Sequence, residues 1–477
     1  MKSEMKRPIS LTVLVLALSV FLSPQAYGAP DSRPPPTNAL AEKVDSVMAP
    51  WSRGETPGAA IIVIQDGRIV LKKGYGLANL ASKKPIEPDT AFLLGSVTKQ
   101  FTAMAVMMLA ERGKLKYDDP LSKFFPEFPP YAQKITVSHL LHHTAGFPEY
   151  EDLFLESGKL DKDYPRSAKT PRSSFEPISR DALAILARVK APRFAPGEQY
   201  EYSNSNYVIL AQLVEKVSGQ SFAQFLRQNI FQPLGMNRTL LYDETRPKVQ
   251  NVATSYTLEH GVYRDIDYTP LNAIYGEDNI FTTVEDMSKW DQALYTEKLV
   301  KAATLQAAFT PGKLNNGNAI GYGFGWKLKE LLGLHAVAHG GAWVGFRTQI
   351  LRFPDQHFTV VVLGNLHQLG VDDIAARISK LYLADKMTWP TAIPVAPEAM
   401  QRCVGQYALG PGFIVEVSLE KNDLWFKMPD GTRGKLLPES TTKYFLVGRE
   451  EEQVTFNLDE KGNTVSLSGF GHTLRKQ

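Results

Sequence analysis

The chain has 477 residues, 43% of them hydrophobic and 22% charged, with a formal net charge of +3. Such values belong to a folded globular chain with room for one large and one smaller domain, and they exclude a low-complexity or disordered one. The charge is scattered, with no basic block and no aromatic-basic stripe, which excludes nucleic acid as a partner class.

In chain order, Lys2, Lys6 and Arg7 precede an apolar run from Ile9 to Leu22 and the small-residue stretch Ala26-Tyr27-Gly28. This predicts a signal peptide over 1–28, cleaved after Gly28, because the run is shorter than the roughly 20 apolar residues of a spanning helix. No cysteine follows it for lipid attachment, so the mature protein is expected to be periplasmic or secreted and free of the membrane. The only cysteine, Cys403, leaves no internal disulfide, and the fold must rest on its core.

After the proline-rich leader, an amphipathic helix is predicted from Thr37 to Met48. Gly58 to Gly76 reads as two strands joined at Asp66-Gly67, a dipeptide that tolerates positive φ at both turn positions. Residues 96–113 return to helical spacing, with Phe101, Ala105, Met108 and Leu109 on one face and Gly113 as the stop. A mostly helical region follows, including Tyr207–Ser218 and Phe222–Phe231. Three strands then close the region, from LHAVAHGG to FTVVVLGN. Strands at both ends with helices between predict one α/β domain over 37–387 whose terminal segments share a sheet. Residues 388–398, rich in proline, read as a linker. Short alternating runs over 399–477, punctuated by Asp430-Gly431 and Lys461-Gly462, predict an all-β domain.

Ser96 and Lys99 stand three residues apart at a helix start. Ser3–Lys6 and Ser440–Lys443 have the same spacing, but one lies in the signal peptide and the other in the β domain. Residues three apart share a helix face, and a helix N-terminus favours the negative charge of an alkoxide or oxyanion. A lysine in an apolar setting is expected to lose its proton readily, since burial disfavours the charged form. A serine N-cap beside a solvated lysine is the plain alternative. Two further motifs occur once each: Tyr202-Ser203-Asn204 before a helical run, and His339-Gly340-Gly341 at a strand end.

With these three motifs in this order, the sequence resembles the serine penicillin-recognising hydrolases, which include class C β-lactamases, DD-peptidases, D-aminopeptidases and related esterases. LLHHTAGFP at 140–148 and TVEDMSKW at 283–290 add to the resemblance, which covers roughly residues 40–385. It implies an antiparallel sheet flanked by helices plus a helical subdomain, and a lipocalin-like or small-barrel module at the C-terminus. It also implies a mechanism: Ser96 as nucleophile, Lys99 and Tyr202 sharing its proton, and the N–H groups of Ser96 and Ala342 holding the oxyanion. Asn204, His339, Gly340 and Gly341 would bind substrate. Which of Lys99 and Tyr202 is the base stays open.

Histidine in place of the family's lysine at 339 removes a fixed positive charge and turns the expectation from penicillin toward small amides, esters or D-residue peptides, cell-wall peptides among them. A slowly turning over penicillin-binding sensor and a class C-like β-lactamase are the alternatives. No cofactor and no metal are expected. A metallohydrolase built on His139, His142 and His143 is the rival class, but no carboxylate follows at the offset such helices use. The oligomeric state is open. The C-terminal domain is expected to gate substrate or to serve as a stability or interaction module.

Overall fold

Valine, isoleucine and alanine fill Ala59–Gln65 (β1), whose near-complete burial marks a strand covered on both faces. The computed structural model describes residues 38–52, 54–158, 160, 175–243, 245, 247–410, 412–469 and 472–477. In it β1 turns into Arg68–Tyr75 (β2) through Asp66 and Gly67, at φ of 51° and 72°, as their sequence predicts. The far end of the domain supplies Lys327–Leu331 (β3), Leu334–Trp343 (β4), Phe346–Phe353 (β5) and Phe358–Gly364 (β6). The sheet order is β3-β4-β5-β6-β1-β2. Its antiparallel β1–β6 seam, with Ala59 opposite Gly364, joins the two ends of the domain.

The helices that matter here are Asn38–Met48 (α1), Lys99–Glu111 (α2), Val137–Leu141 (α3), Asn204–Ser218 (α4), Val371–Leu383 (α5) and Pro397–Cys403 (α6). One sheet face, with Ile61, Ala336, Leu351 and Val360, packs on Val44 and Met48 of α1 and on Ile374 and Ile378 of α5. The other, with Ile62, Val337, Ile350 and Val361, packs on the helical layer that contains α2 and α4. The sequence predicts one apolar face on α2. Every residue from Lys99 to Leu109 is instead buried, because the helix runs through the middle of the layer. Gly113, at φ 69°, follows its end.

Residues 388–396 carry no regular structure and lead into α6. Eight strands then form a closed barrel, in which the first, Gly405–Gly410, pairs with the last, His472–Lys476. Its interior is filled by Tyr407, Val415, Leu424, Tyr444 and Phe456, and Met400 and Cys403 of α6 join that core. The barrel meets the larger domain at α5, where Lys380 reaches Glu451 at 2.8 Å and Glu450 at 3.6 Å. The signal peptide expected at 1–28 lies outside the described residues. Among the described residues no helix is long and apolar enough to cross a membrane.

Candidate active site

Ser96 lies in a 3-10 turn, Gly95–Thr98, that runs straight into α2. Gly95 has φ 57°, and a Cβ there would stand 2.7 Å from the Ala342 nitrogen. Across from it, a Cβ on Gly341 would collide with the Leu94 carbonyl, which already accepts a hydrogen bond from Thr348 Oγ1 at 2.5 Å. Two bare backbone positions therefore let the serine turn and β4 approach closely, next to Ser96 and Ala342. β3 pairs with β4 only as far as Ala338, opposite Lys327. From His339 to Trp343 the β3 side of β4 has no strand partner among the described residues. Although β3 is the outermost strand, this half of β4 is thus also an edge. A cleft of about 450 Å³ lies here, lined by Ser96, Tyr202, His339, Gly340, Gly341 and Ala342, and extending to Lys327 on β3 and Asp372 on α5.

Lys99 is fully buried. Its ammonium donates to Ser96 Oγ at 3.0 Å, Asn204 Oδ1 at 2.9 Å and the Glu277 carbonyl at 3.0 Å, and lies 3.4 Å from Glu277 Oε2. Three protons thus meet three oxygens, with a carboxylate alongside. Burial alone would drive the lysine down, as the sequence suggests. The Tyr202 hydroxyl and the Glu277 carboxylate beside it work against that cost, and the net direction is upward. The expectation of a readily discharged lysine is corrected: this site holds an ammonium, because a counter-charge absent from the Ser-x-x-Lys pattern is buried beside it.

The Tyr202 ring lies 5.0 Å from Lys99 Nζ, and its hydroxyl is within hydrogen-bonding range of Lys99 and Ser96. Burial raises the phenol, against the opposing pull of those two neighbours. Asn204 opens α4 with Lys99 on its Oδ1 and Glu151 Oε1 accepting from its Nδ2 at 3.2 Å. Glu149 accepts the Asn204 main-chain N–H. Burial pushes Glu149 and Glu151 up to about 7 each, helped by the nearby charge of Glu277. Glu277 itself accepts from the buried Tyr150 hydroxyl at 2.9 Å. Neither Glu277 nor the carboxylates at 149 and 151 has a motif-like sequence signal. The one hint is the acidic pair Glu277-Asp278 in a short stretch between Ile274-Tyr275 and Ile280-Phe281.

His339 is 1% exposed and both its ring nitrogens are engaged. Nδ1 donates to the Gly340 carbonyl at 2.7 Å, which leaves Nε2 to accept from the Tyr322 hydroxyl at 2.9 Å. Burial and the Lys99 charge lower it to about 3, so it is neutral. It lines the cleft with both polar atoms already satisfied by the protein. Ser96, Lys99, Tyr202, Asn204 and the 339–342 stretch thus come together from three parts of the chain.

The three histidines of the 139–143 stretch go separate ways. His139 caps α3 by accepting from Thr136 N at 3.1 Å, His142 contacts Ser138 and packs tilted against Phe324, and His143 lies fully buried among tyrosines. Among the described residues no group of His, Cys, Asp and Glu is arranged to hold a metal ion.

Comparison with known proteins gives a consistent result. A penicillin-binding protein of Bacillus subtilis (strain 168) is 30% identical over 425 residues, which is 84% of this chain and 90% of that one. A D-aminopeptidase of Brucella anthropi is 29% identical over 329 residues, 69% of this chain but only 59% of that longer protein. The solved structure of an octameric penicillin-binding protein homologue from Pyrococcus abyssi superposes with a TM-score of 0.64 at 25% identity, covering 92% of this chain and 99% of that one. The family model described as Beta-lactamase matches residues 40–384, the stretch that carries all three motifs. The chain therefore belongs to the Beta-lactamase family of hydrolases and their penicillin-binding relatives.

Proposed function

We propose that this chain is an exported serine hydrolase that cleaves small amides, esters or D-residue peptides through an acyl-enzyme. The observation that carries the reading is the buried ammonium of Lys99 donating to Ser96 Oγ, with the Tyr202 hydroxyl in reach of both. Ser96 Oγ attacks the carbonyl carbon and its proton passes to the Lys99–Tyr202 pair once that pair has lost one proton. The pair, rather than either residue, is the titrating unit. The oxyanion is held by the Ser96 and Ala342 amides, each such donor being worth about 2.7–4 kcal/mol. The pair then protonates the leaving group, and water attacks the acyl carbon and restores the serine.

Neutral His339 offers no fixed cation to a substrate carboxylate, which favours amide, ester and D-residue substrates over β-lactams. Because Lys99 and Tyr202 both hold their protons more tightly than usual, slow deacylation is a second reading, and the chain would then act as an acylated penicillin-binding sensor. Labelling with a fluorophosphonate and a fluorescent penicillin, on wild type and Ser96→Ala, tests both. Loss of fluorophosphonate labelling in the variant supports the nucleophile, and persistence refutes it. A stoichiometric burst with no steady state on a chromogenic ester selects the sensor. The barrel fits a role in shaping the cleft entrance, since α5 lines the cleft with Val371 and Asp372 and holds the barrel through Lys380. A chain ending near Ala384 with unchanged substrate range would remove that role.

A further inference from the structure

His143 belongs to a stretch whose spacing suggests metal ligation and whose geometry instead serves a neighbour. It follows the end of α3 in the left-handed region, φ 57°, a conformation uncommon for residues other than glycine but one that histidine, asparagine and aspartate adopt more often than most. From there it meets residues 201–203 at three points. Its main-chain carbonyl accepts the Glu201 N–H at 3.0 Å, its Nδ1 accepts the Ser203 N–H at 3.2 Å, and its ring lies 4.3 Å from the Tyr202 ring, tilted by 33°. Nδ1 also lies 3.2 Å from Asn206 Nδ2. With that nitrogen accepting, the ring is the neutral Nε2–H form. Burial, then the Lys99 charge, hold it there. Tyr207 and Tyr322 pack against the same ring at 5.0 and 4.8 Å, so His143 cannot swing away without repacking the cage.

We propose that His143 is a positioning residue for Tyr202: its carbonyl, ring nitrogen and ring face fix the residues on both sides of the tyrosine and the tyrosine itself, and so aim the phenol at Ser96 and Lys99. The proposal rests on the serine-hydrolase reading above. His143 touches neither Ser96 nor the oxyanion amides and acts only through Tyr202. A neutral acceptor is needed there, since a protonated ring would meet the Ser203 amide donor to donor and set a second cation beside Lys99.

The test is a double-mutant cycle on the full chain with p-nitrophenyl acetate as the probe, preceded by Ser96→Ala and Tyr202→Phe alone. His143→Phe keeps an aromatic ring but leaves the Ser203 N–H without its acceptor. It should lower kcat about 100-fold, the scale of a roughly 1 Å misplacement of a reacting group, with little change in KM. In the Tyr202→Phe background the same change should cost nothing further, since there is no phenol left to aim. His143→Asn tolerates the left-handed backbone and places Oδ1 near the lost Nδ1. It should recover at least tenfold over His143→Phe, and it carries the cycle if the phenylalanine variant does not fold. Equal losses in both tyrosine backgrounds, or no rescue by asparagine, overturn the proposal. Turnover that survives Ser96→Ala, or a Tyr202→Phe enzyme as fast as wild type, instead refutes the hydrolase reading, and the His143 role falls with it.

Discussion

The six-stranded sheet and the barrel are both antiparallel, but they end differently. The barrel closes on itself, with Tyr407 paired to Lys476, and its interior is packed with aromatic and aliphatic side chains. The sheet stops short: β3 gives out at Lys327, and β4 goes on for five residues beside Ser96 paired only on its β5 side among the described residues. Their charges differ likewise. Among the described residues the ion pairs within the barrel are exposed or half-exposed, such as Lys435–Asp423 at 2.8 Å with 32% and 36% of the side chains exposed. The pair at the serine, Lys99–Glu277, is 0% and 2% exposed. The sheet thus leaves half of one strand open on one side and buries an ion pair beside Ser96, whereas the barrel closes its strands and keeps its ion pairs at the surface among the described residues.

That contrast can be broken by experiment. Ser96→Ala should have the largest effect, removing ester turnover by about 10⁶-fold, on the scale seen when a catalytic serine is lost, while the barrel melts as before. Activity retained in a pure variant would erase the functional difference between the two regions. Next comes Lys99→Met, which leaves the Glu277 carboxylate buried without its partner. It should cost about 3–5 kcal/mol, measured by denaturant unfolding of the larger domain, and Lys99→Met with Glu277→Gln should recover part of the loss. Lys435→Met in the barrel should cost no more than about 1 kcal/mol. Equal costs would mean that burial does not separate the two pairs.

A pH titration of stability sharpens the comparison further. Glu149 and Glu151 sit at about 7 in the folded chain against an ordinary 4.5. The folded state therefore holds protons that the unfolded chain has released, and stability falls as pH rises from about 4.5 to about 7. Glu149→Gln or Glu151→Gln should stabilise the larger domain at pH 8 by about 1–3 kcal/mol and should flatten this slope. The barrel runs the other way. Glu420 is held low by its hydrogen bond with Arg433, and Asp430 and Asp459 by backbone N–H donors from Thr432 and Asn463. Their stabilisation is present above the ordinary carboxylate range and is lost as pH falls through their lowered values. A common slope for both modules between pH 4.5 and 7 would contradict this assignment.

The smallest effect expected is on the activity profile near neutrality. With His339 at about 3, kcat/KM should show no histidine inflection between pH 5 and 8, and it should climb with pH as the Lys99–Tyr202 pair gives up its proton. A rate that falls over the same range would point to a base other than this pair.

Much of this was readable beforehand where the physics is local. Asp66-Gly67 fixes a hairpin through its own backbone preferences, and Ser96 and Lys99 share a turn because they are three residues apart. Tyr202 and His339 could be named because their motifs occur once each and in the family's order. Glu277 is 178 positions from Lys99 and follows no spacing rule, so the sign of the lysine's shift was out of reach. The early end of β3 depends on which residue happens to oppose Ala338, a matter of register. His143 was visible as a residue but not as a partner of Tyr202, since only the fold brings residue 143 beside 201–203.

Cys403 gives the molecule a reporter of its own. It is the only thiol in the chain, is 1% exposed where α6 packs on the barrel, and burial raises it to about 11. In the folded state it should be slow to react with alkylating reagents, and it becomes reactive only when the small module opens. Timing its modification under denaturant measures the opening of one module while ester turnover follows the other, with no engineered label in either.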